Sequence, residues 1–229
     1  MTPLLVLALC VTAVDKLFTV TFSVAYGYNC GVATYQPAES RVVNGQEVVS
    51  VQYIYYGLWY HTCGGTLIAH KWVLTAAHCI SKENTYRVQL GKHDLQQVDS
   101  GQLTINVVGL FNHEQWDEND VAKGYDITLL KLEIEVPYSD TITLACLPPD
   151  GYILPHQFGC YVTGWGYLQT SGPPAGKLQQ GLLSVVDYQT CSQPDWWGSI
   201  VKTNMICAGG DGIVASCYGD SGGTTQLQE

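Results

Sequence analysis

The sequence predicts an all-β protein, because polar and apolar residues alternate over short runs that turn signals separate. The alternation has a period of two over residues 86–90 and 103–107, as in strands with one buried and one solvated face. Residues 148–151 and 172–176 are rich in proline and glycine, which favour turns. Long amphipathic helical patterns are absent. We therefore expect a sandwich or barrel, with a seam near residues 146–149 between two lobes.

The composition excludes several classes of partner. The formal net charge is −10 and the pI is near 4.8, so nucleic acid and anionic membranes would be repelled. Nine cysteines are present, and none has the paired C-x-x-C spacing of a zinc site. So many cysteines are typical of oxidising compartments, and we expect an extracellular protein.

The first 25 residues have the pattern of a signal peptide. An apolar stretch covers residues 4–14, and a second, mixed stretch covers residues 17–25 after an aspartate and a lysine. A membrane anchor needs about 18 uninterrupted apolar residues, so the interruption favours a leader that is removed. Small residues permit cleavage after Ala25, and a cut after Ala13 is also compatible.

Three motifs carry chemistry only in combination. His78 lies among small residues and beside a cysteine, Asp126 leads into an apolar strand, and Ser221 is flanked by glycines. Each has an ordinary explanation, as a surface histidine, a turn aspartate and a glycine-rich turn. Together they supply a hydroxyl nucleophile, an imidazole that takes its proton, and a carboxylate that orients the imidazole. Five other histidines are present, which makes one histidine alone a weak signal: His61, His70, His93, His113 and His156.

The order of the three residues separates two families of hydrolases. The run from Gly219 to Gly223 also fits the G-x-S-x-G elbow of α/β-hydrolases, in which the acid and the histidine follow the serine. Residues 222–229 contain neither aspartate nor histidine. The elbow interpretation therefore fails, and the order of histidine, aspartate and serine is that of chymotrypsin-like proteases.

The chain resembles that serine protease family from about Cys30 to Gly223. Within it, residues 60–63, 177–181, 195–198 and 205–212 resemble pancreatic elastase 2 and chymotrypsin C. The resemblance implies two packed antiparallel Greek-key β-barrels, over about residues 42–145 and 146–229. The matching motifs are those of His78, Asp126 and Ser221, together with residues 41–45, 63–68 and 164–166.

The resemblance also implies a zymogen that is secreted and then activated. Residues 26–41 would be a propeptide, and a trypsin-like protease would cut after Arg41. The new α-ammonium group of Val42 would pair with Asp220. That pair would shape an oxyanion hole from the N–H groups of Gly219 and Ser221.

Substrate preference is implied by the residue six before the nucleophile. This residue is Ala215, followed by Ser216, and it forms the base of the substrate pocket in the family. Because no charge is present at the base of the pocket, we expect an endopeptidase that cleaves protein or peptide substrates after apolar residues. We also expect a monomer. Protease inhibitors are further expected partners, and nucleic acid and membranes are not.

The family pattern further implies disulfides, and it limits a possible calcium site to one loop. Relatives that hold calcium use acidic side chains in the loop corresponding to residues 91–101. Lys92 stands where an acidic ligand is expected. Although Asp94 and Asp99 could contribute, we expect a solvated loop, no metal and no cofactor.

The disulfide pairs that the resemblance implies are Cys30 with Cys146, Cys63 with Cys79, and Cys191 with Cys207. Partners for Cys160 and Cys217 stay undetermined.

Two departures from the family pattern leave a second interpretation open. Relatives continue well beyond Gly223 with the last strands of the second barrel, and they carry a Trp-Pro-Trp-Gln segment between Glu47 and Val51. We therefore expect an incomplete second barrel. The alternative is a catalytically inactive homologue that keeps the three residues without an assembled site.

Overall fold

The computed structural model describes residues 48–168, 173–210 and 216–227. Six antiparallel strands form a closed barrel in the order β1-β2-β3-β6-β5-β4. The all-β prediction is confirmed. The barrel strands are β1 (Val48–Tyr55), β2 (Leu58–Ala69), β3 (Trp72–Thr75), β4 (Tyr86–Leu90), β5 (Leu103–Asn112) and β6 (Thr128–Leu132).

The second half forms a four-stranded sheet in the order β10-β7-β8-β9, which does not close within the described ranges. In the part of the chain that is described, the second barrel is therefore incomplete, as expected, and the residue at which the two lobes divide stays a prediction. Its strands are β7 (Gly159–Gly164), β8 (Gln179–Val186), β9 (Cys207–Ala208) and β10 (Thr225–Leu227). The helices are α1 (Tyr188–Cys191) and 3₁₀ turns at Ala77–Cys79, Val121–Lys123 and Gly198–Ile200. In the part of the chain that these ranges cover, no helix has the length and hydropathy of a membrane span.

Strand β1 connects the barrel to the second lobe because both of its faces are buried. Val49 and Val51 point into the barrel core. Val48 points the other way and packs against Trp165 and Leu178, all fully or almost fully buried. Since burying one such side chain contributes about 1.5–3 kcal/mol, this strand stabilises both cores. It thereby fixes the second sheet against the barrel.

The loop between β4 and β5 is exposed over residues 96–98, as a solvated loop would be, but it is organised around a buried lysine. Lys92 is only 5% exposed. Its ammonium group donates to the carbonyl of Gln97 and to Oε1 of Gln102, the latter at 2.8 Å. It also lies 3.4 Å from Oδ2 of Asp99. Burial of the ammonium group is possible because the loop oxygens replace its water and the Asp99 carboxylate balances its charge.

The carboxylate of Asp99 is held in its ionised form by this arrangement. Oδ2 accepts two backbone N–H groups, at 2.9 and 3.1 Å. Although burial opposes it, these two donors and Lys92 hold the pKa of Asp99 below its ordinary value. The depressed pKa means that the carboxylate stabilises the fold above about pH 3.8, and that this contribution is lost as the pH falls through the folded-state pKa.

Replacing Lys92 with methionine is expected to lower the free energy of unfolding by about 2–4 kcal/mol, because the carboxylate and the loop carbonyls lose their cation. Urea denaturation at neutral pH measures the loss. The matched control is Lys82→Met, at an exposed position, which should change stability by less than about 0.5 kcal/mol. The gap between wild type and Lys92→Met should narrow below pH 3.8, and equal losses in the two variants would contradict the interpretation.

Candidate active site

The pairing of β3 with β6 brings His78 and Asp126 to the same end of the barrel. Thr75, the last residue of β3, lies opposite Thr128, the first residue of β6. His78 comes after β3 in a short 3₁₀ helix, and Asp126 precedes β6 by two residues. Because the strands are antiparallel, the end of β3 lies beside the start of β6. The register of the barrel therefore sets this contact.

The carboxylate of Asp126 holds the histidine through two hydrogen bonds. Its Oδ1 accepts the backbone N–H of His78 at 2.8 Å, and its Oδ2 accepts Nδ1–H of the ring at 2.5 Å. Asp126 is 6% exposed, whereas the His78 side chain is 42% exposed. The buried acid thus fixes both the position and the tautomer of the ring, and leaves Nε2 facing a more open space.

Ser221 reaches the same place through its backbone. Its carbonyl accepts the N–H of Gly64 on β2 at 2.8 Å. The sulfur of Cys79 lies 3.8 Å from this carbonyl and 3.8 Å from Nε2 of His78. No hydrogen bond between Nε2 of His78 and the Ser221 hydroxyl occurs among the described residues. The structure therefore brings the three predicted residues together, with the hydroxyl and imidazole not yet bonded.

Glycines permit this close approach of two backbones. A methyl group on Gly64 would lie 2.6 Å from Cα of Gly223, closer than real contacts allow. Gly222 has a φ of +72°, and a methyl group there would overlap the hydroxyl of Thr75. That hydroxyl donates to the carbonyl of Gly64 at 2.7 Å. The glycines of the two motifs are thus required by packing between β2, β3 and the Ser221 loop.

The carboxylate of Asp220 lies in a pocket of backbone. Its Oδ1 accepts the N–H of Gly166 at 2.7 Å, and its Oδ2 accepts the N–H of Cys217 at 2.9 Å. A methyl group on Gly164 or Gly166 would overlap the carboxylate. Burial raises the pKa of Asp220 despite the two donors. No ion pair joins this carboxylate to another residue of the described ranges.

His61 is a site residue that sequence reasoning missed. Its Nε2 donates to the carbonyl of Gly219 at 3.0 Å, and its Nδ1 lies 2.9 Å from the hydroxyl of Ser50. Burial lowers the pKa of His61, against the effect of the Gly219 carbonyl. The ring is therefore a neutral donor that holds the Gly219 carbonyl, which belongs to the peptide between Gly219 and Asp220. Only the match of residues 60–63 to the family pattern pointed to it, and nothing in those letters gives the direction of the ring.

The Gly219 turn leaves two backbone donors unused. Gly219 has a φ of +96°, a conformation that favours glycine. The N–H groups of Gly219 and Ser221 have no acceptor among the described residues. Two such donors, two residues apart in the chain, can bind an anionic oxygen.

The other predicted site residues have mixed outcomes. Arg41, Val42, Cys30 and Ala215 lie outside the described residues, and Ser216 is described without a role that the geometry assigns. Disulfides join Cys63 to Cys79 and Cys191 to Cys207, with Cα atoms 6.2 and 6.4 Å apart, and Cys146 is disulfide-bonded. Ligand atoms of Cys63, His78 and Cys79 lie within 4.8 Å of one another. Because both sulfurs are in a disulfide, they offer no thiolate to a metal.

Gly166→Ala is expected to lower the free energy of unfolding by about 1–3 kcal/mol, because the new methyl group displaces the Asp220 carboxylate. The matched control is Gly176→Ala, where a methyl group would meet its nearest neighbour at 3.6 Å, an ordinary contact. Urea denaturation of both variants at neutral pH measures the difference. A Gly166→Ala protein as stable as the control would show that the carboxylate does not occupy this position.

Comparison with known proteins identifies the family. The Trypsin family model matches residues 38–228. The chain is 50% identical to Chymotrypsin-C of Bos taurus over 218 residues, covering 91% of this chain and 81% of that protein. It is 46% identical to Chymotrypsin-like elastase family member 1 of Rattus norvegicus over 208 residues, covering 87% of this chain and 77% of that protein. The predicted resemblance to chymotrypsin C and the chymotrypsin-like elastases is confirmed, and the chain belongs to the trypsin family of serine peptidases.

Proposed function

We propose that the chain is a secreted serine endopeptidase, with Ser221 as nucleophile, His78 as general base and Asp126 as the carboxylate that orients the base. The observation that carries the proposal is the 2.5 Å hydrogen bond between Nδ1 of His78 and Oδ2 of Asp126. It leaves Nε2 of the ring beside a glycine-rich loop with free backbone donors. Membership of the trypsin family supports peptide bonds in proteins as substrates.

The proton would move between Ser221 and Nε2 of His78. Because Asp126 accepts Nδ1–H, the lone pair of the neutral ring is on Nε2. As Oγ of Ser221 bonds to the substrate carbonyl carbon, its proton passes to Nε2, and the carboxylate stabilises the resulting imidazolium. The same proton then goes to the leaving amine when the C–N bond breaks. A water molecule releases the acyl group from Ser221 by the reverse sequence.

The negative oxygen of the intermediate would bind the N–H groups of Gly219 and Ser221. In support, neither group donates to a described residue, and the hydrogen bond from His61 holds the carbonyl of Gly219, in the peptide that lies between the two donors. Donors that are held in place before the reaction stabilise the charge without reorganising. His61 would thus contribute to catalysis through Gly219 rather than by contact with the substrate.

Activation would supply a cation to Asp220, which has no ion-pair partner among the described residues. A raised pKa means that the fold is favoured with Asp220 protonated, and that this stabilisation is lost as the pH rises through the folded-state pKa. The ionised form of Asp220 is thus disfavoured by its burial. Cleavage after Arg41 would provide the ammonium group of Val42, and pairing would offset the cost of burial.

The proposed specificity and location rest on composition and on the disulfides. Ala215 and Ser216 bring no charge to the pocket, so we propose cleavage after apolar side chains. Two disulfides within the described ranges support an oxidising, extracellular location.

A second candidate function is that of an inactive homologue. The observation that favours it is that, among the described residues, no hydrogen bond joins Nε2 of His78 to the Ser221 hydroxyl. In active sites this contact often tightens only when substrate binds, so the two candidates are separated by reactivity rather than by the resting geometry.

Trypsin-treated protein is expected to react covalently with a fluorophosphonate at Ser221, because only an assembled site activates a serine hydroxyl. Ser221→Ala should abolish labelling, and Asp126→Asn should slow it by about 10⁴-fold. Asp150→Asn, at an exposed turn position, is the matched control and should label like the wild type. Labelling rates measured by intact mass decide between the candidates, and a wild-type protein that stays unlabelled would establish the inactive homologue.

Arg41→Gln is expected to block activation by trypsin, because trypsin cleaves after basic residues and the Val42 ammonium group would not form. Fluorophosphonate labelling before and after trypsin measures the effect, and N-terminal sequencing identifies the cut. Lys82→Gln removes an exposed basic residue elsewhere and should activate normally. Normal activation of Arg41→Gln would refute the activation site while leaving the assignment of Ser221 untouched.

A further inference from the structure

A strained backbone residue directly precedes Asp126 and sets the direction of its carboxylate. Burial alternates along this segment, so that Gly124, Asp126 and Thr128 point inward while Tyr125 and Ile127 lie on the outer side. Tyr125 has a φ of +59°, in the left-handed region that bulky residues rarely adopt. A strained residue directly before a site residue persists only where its surroundings hold it.

His113 contacts both outward neighbours of Asp126. Its ring stacks on that of Tyr125, with centroids 4.9 Å apart and planes at 20°. Its backbone N–H donates to the carbonyl of Ile127 at 2.9 Å. The N–H of Ile127 in turn donates to the carbonyl of Tyr125 at 2.8 Å, which closes a tight turn around Asp126. One residue thus holds the chain on both sides of the carboxylate.

His113 is itself fixed by the barrel. It comes directly after Asn112, the last residue of β5, which lies opposite Thr128 of β6. The Thr128 hydroxyl donates to Oδ1 of Asn112 at 2.7 Å. The N–H of Gln115 donates to Nδ1 of the His113 ring at 3.1 Å, which sets the plane of the ring. The ring is therefore a rigid platform for Tyr125.

We propose that His113 and Tyr125 are positioning residues for the catalytic carboxylate: their stack keeps Tyr125 in the left-handed conformation and so aims Asp126 at His78. Without the stack, Tyr125 can relax to a negative φ, which turns the next peptide and moves Asp126 away from Nδ1 of His78. The effect on catalysis rests on the proposed function. The effect on the hydrogen bond between His78 and Asp126 does not.

The test monitors the Nδ1–H proton of His78 by NMR in a Ser221→Ala background, where a short bond to a carboxylate gives a low-field signal. His113→Ala and Tyr125→Ala keep every backbone donor but remove the stack, and both should shift this signal upfield and speed its exchange. Tyr125→Phe and His113→Phe keep two stacked rings and should restore it. Tyr125→Gly removes the ring but tolerates a positive φ, so it provides a folded variant if Tyr125→Ala is too strained.

With Ser221 intact and after trypsin treatment, the alanine variants should lose about 10- to 100-fold in kcat on a peptide substrate with KM little changed, as for a misplaced catalytic group. The phenylalanine variants should recover most of this loss. A purely structural role would not give a change confined to kcat together with rescue by phenylalanine.

The barrel supplies a matched control in a second stack of histidine on tyrosine. His70 and Tyr138 stack with centroids 4.2 Å apart and planes at 19°. His70 precedes β3 and Tyr138 comes after β6, so this stack lies at the ends of the two strands opposite to His78 and Asp126. Tyr138→Ala should lower the unfolding temperature as Tyr125→Ala does, and leave the low-field signal and kcat unchanged.

The proposal is overturned if Tyr125→Ala and His113→Ala keep the wild-type signal, or if Tyr138→Ala alters it equally. It is also overturned if the parent protein gives no low-field signal, since the bond it explains would then be absent. The parent Ser221→Ala protein can give the low-field signal while the wild-type protein does not label with fluorophosphonate. That result would refute only the proposed function, and the NMR comparison would still decide the positioning role.

Discussion

The backbone contact between Gly64 and Ser221 is the constraint on which the candidate site depends. Gly64 belongs to β2 of the closed barrel, and Ser221 belongs to the segment that leads into β10 of the open sheet. Their 2.8 Å hydrogen bond joins the lobe that carries the imidazole and the acid to the lobe that carries the hydroxyl. Any side chain larger than hydrogen at Gly64 would separate them.

The two buried carboxylates beside this contact have opposite electrostatic situations. Asp126 accepts a backbone N–H and an imidazole N–H that can become cationic. Asp220 accepts neutral backbone donors within the described ranges, and burial raises its pKa. Neutral donors offset part of the desolvation of a carboxylate, and a nearby cation offsets more. Among the described residues, Asp126 thus has a partner that can become cationic, whereas Asp220 has only neutral backbone donors.

Local pattern sufficed for the all-β class and for the three candidate residues, because alternation and short motifs are properties of neighbouring residues. The roles of His61 and Lys92 were out of reach, since each depends on a partner that the fold supplies: His61 contacts Gly219 across 158 positions. The letters around Lys92 alone suggested a solvated loop. Folding of that loop brings carbonyl, amide and carboxylate oxygens onto the ammonium group and buries Lys92, which those letters do not predict.

The two halves of the candidate site differ in what maintains them. His78 and Asp126 are placed by the register of β3 with β6, and every strand of that barrel is paired on both sides. Ser221 precedes β10, which has three residues and, in the described sheet, pairs with β7 at the edge. Short edge strands are the first to fray, because they have few hydrogen bonds and little buried surface. His78 and Asp126 are therefore held by the complete barrel, whereas the position of Ser221 depends on its contact with Gly64 and on that of Thr224 with Thr66.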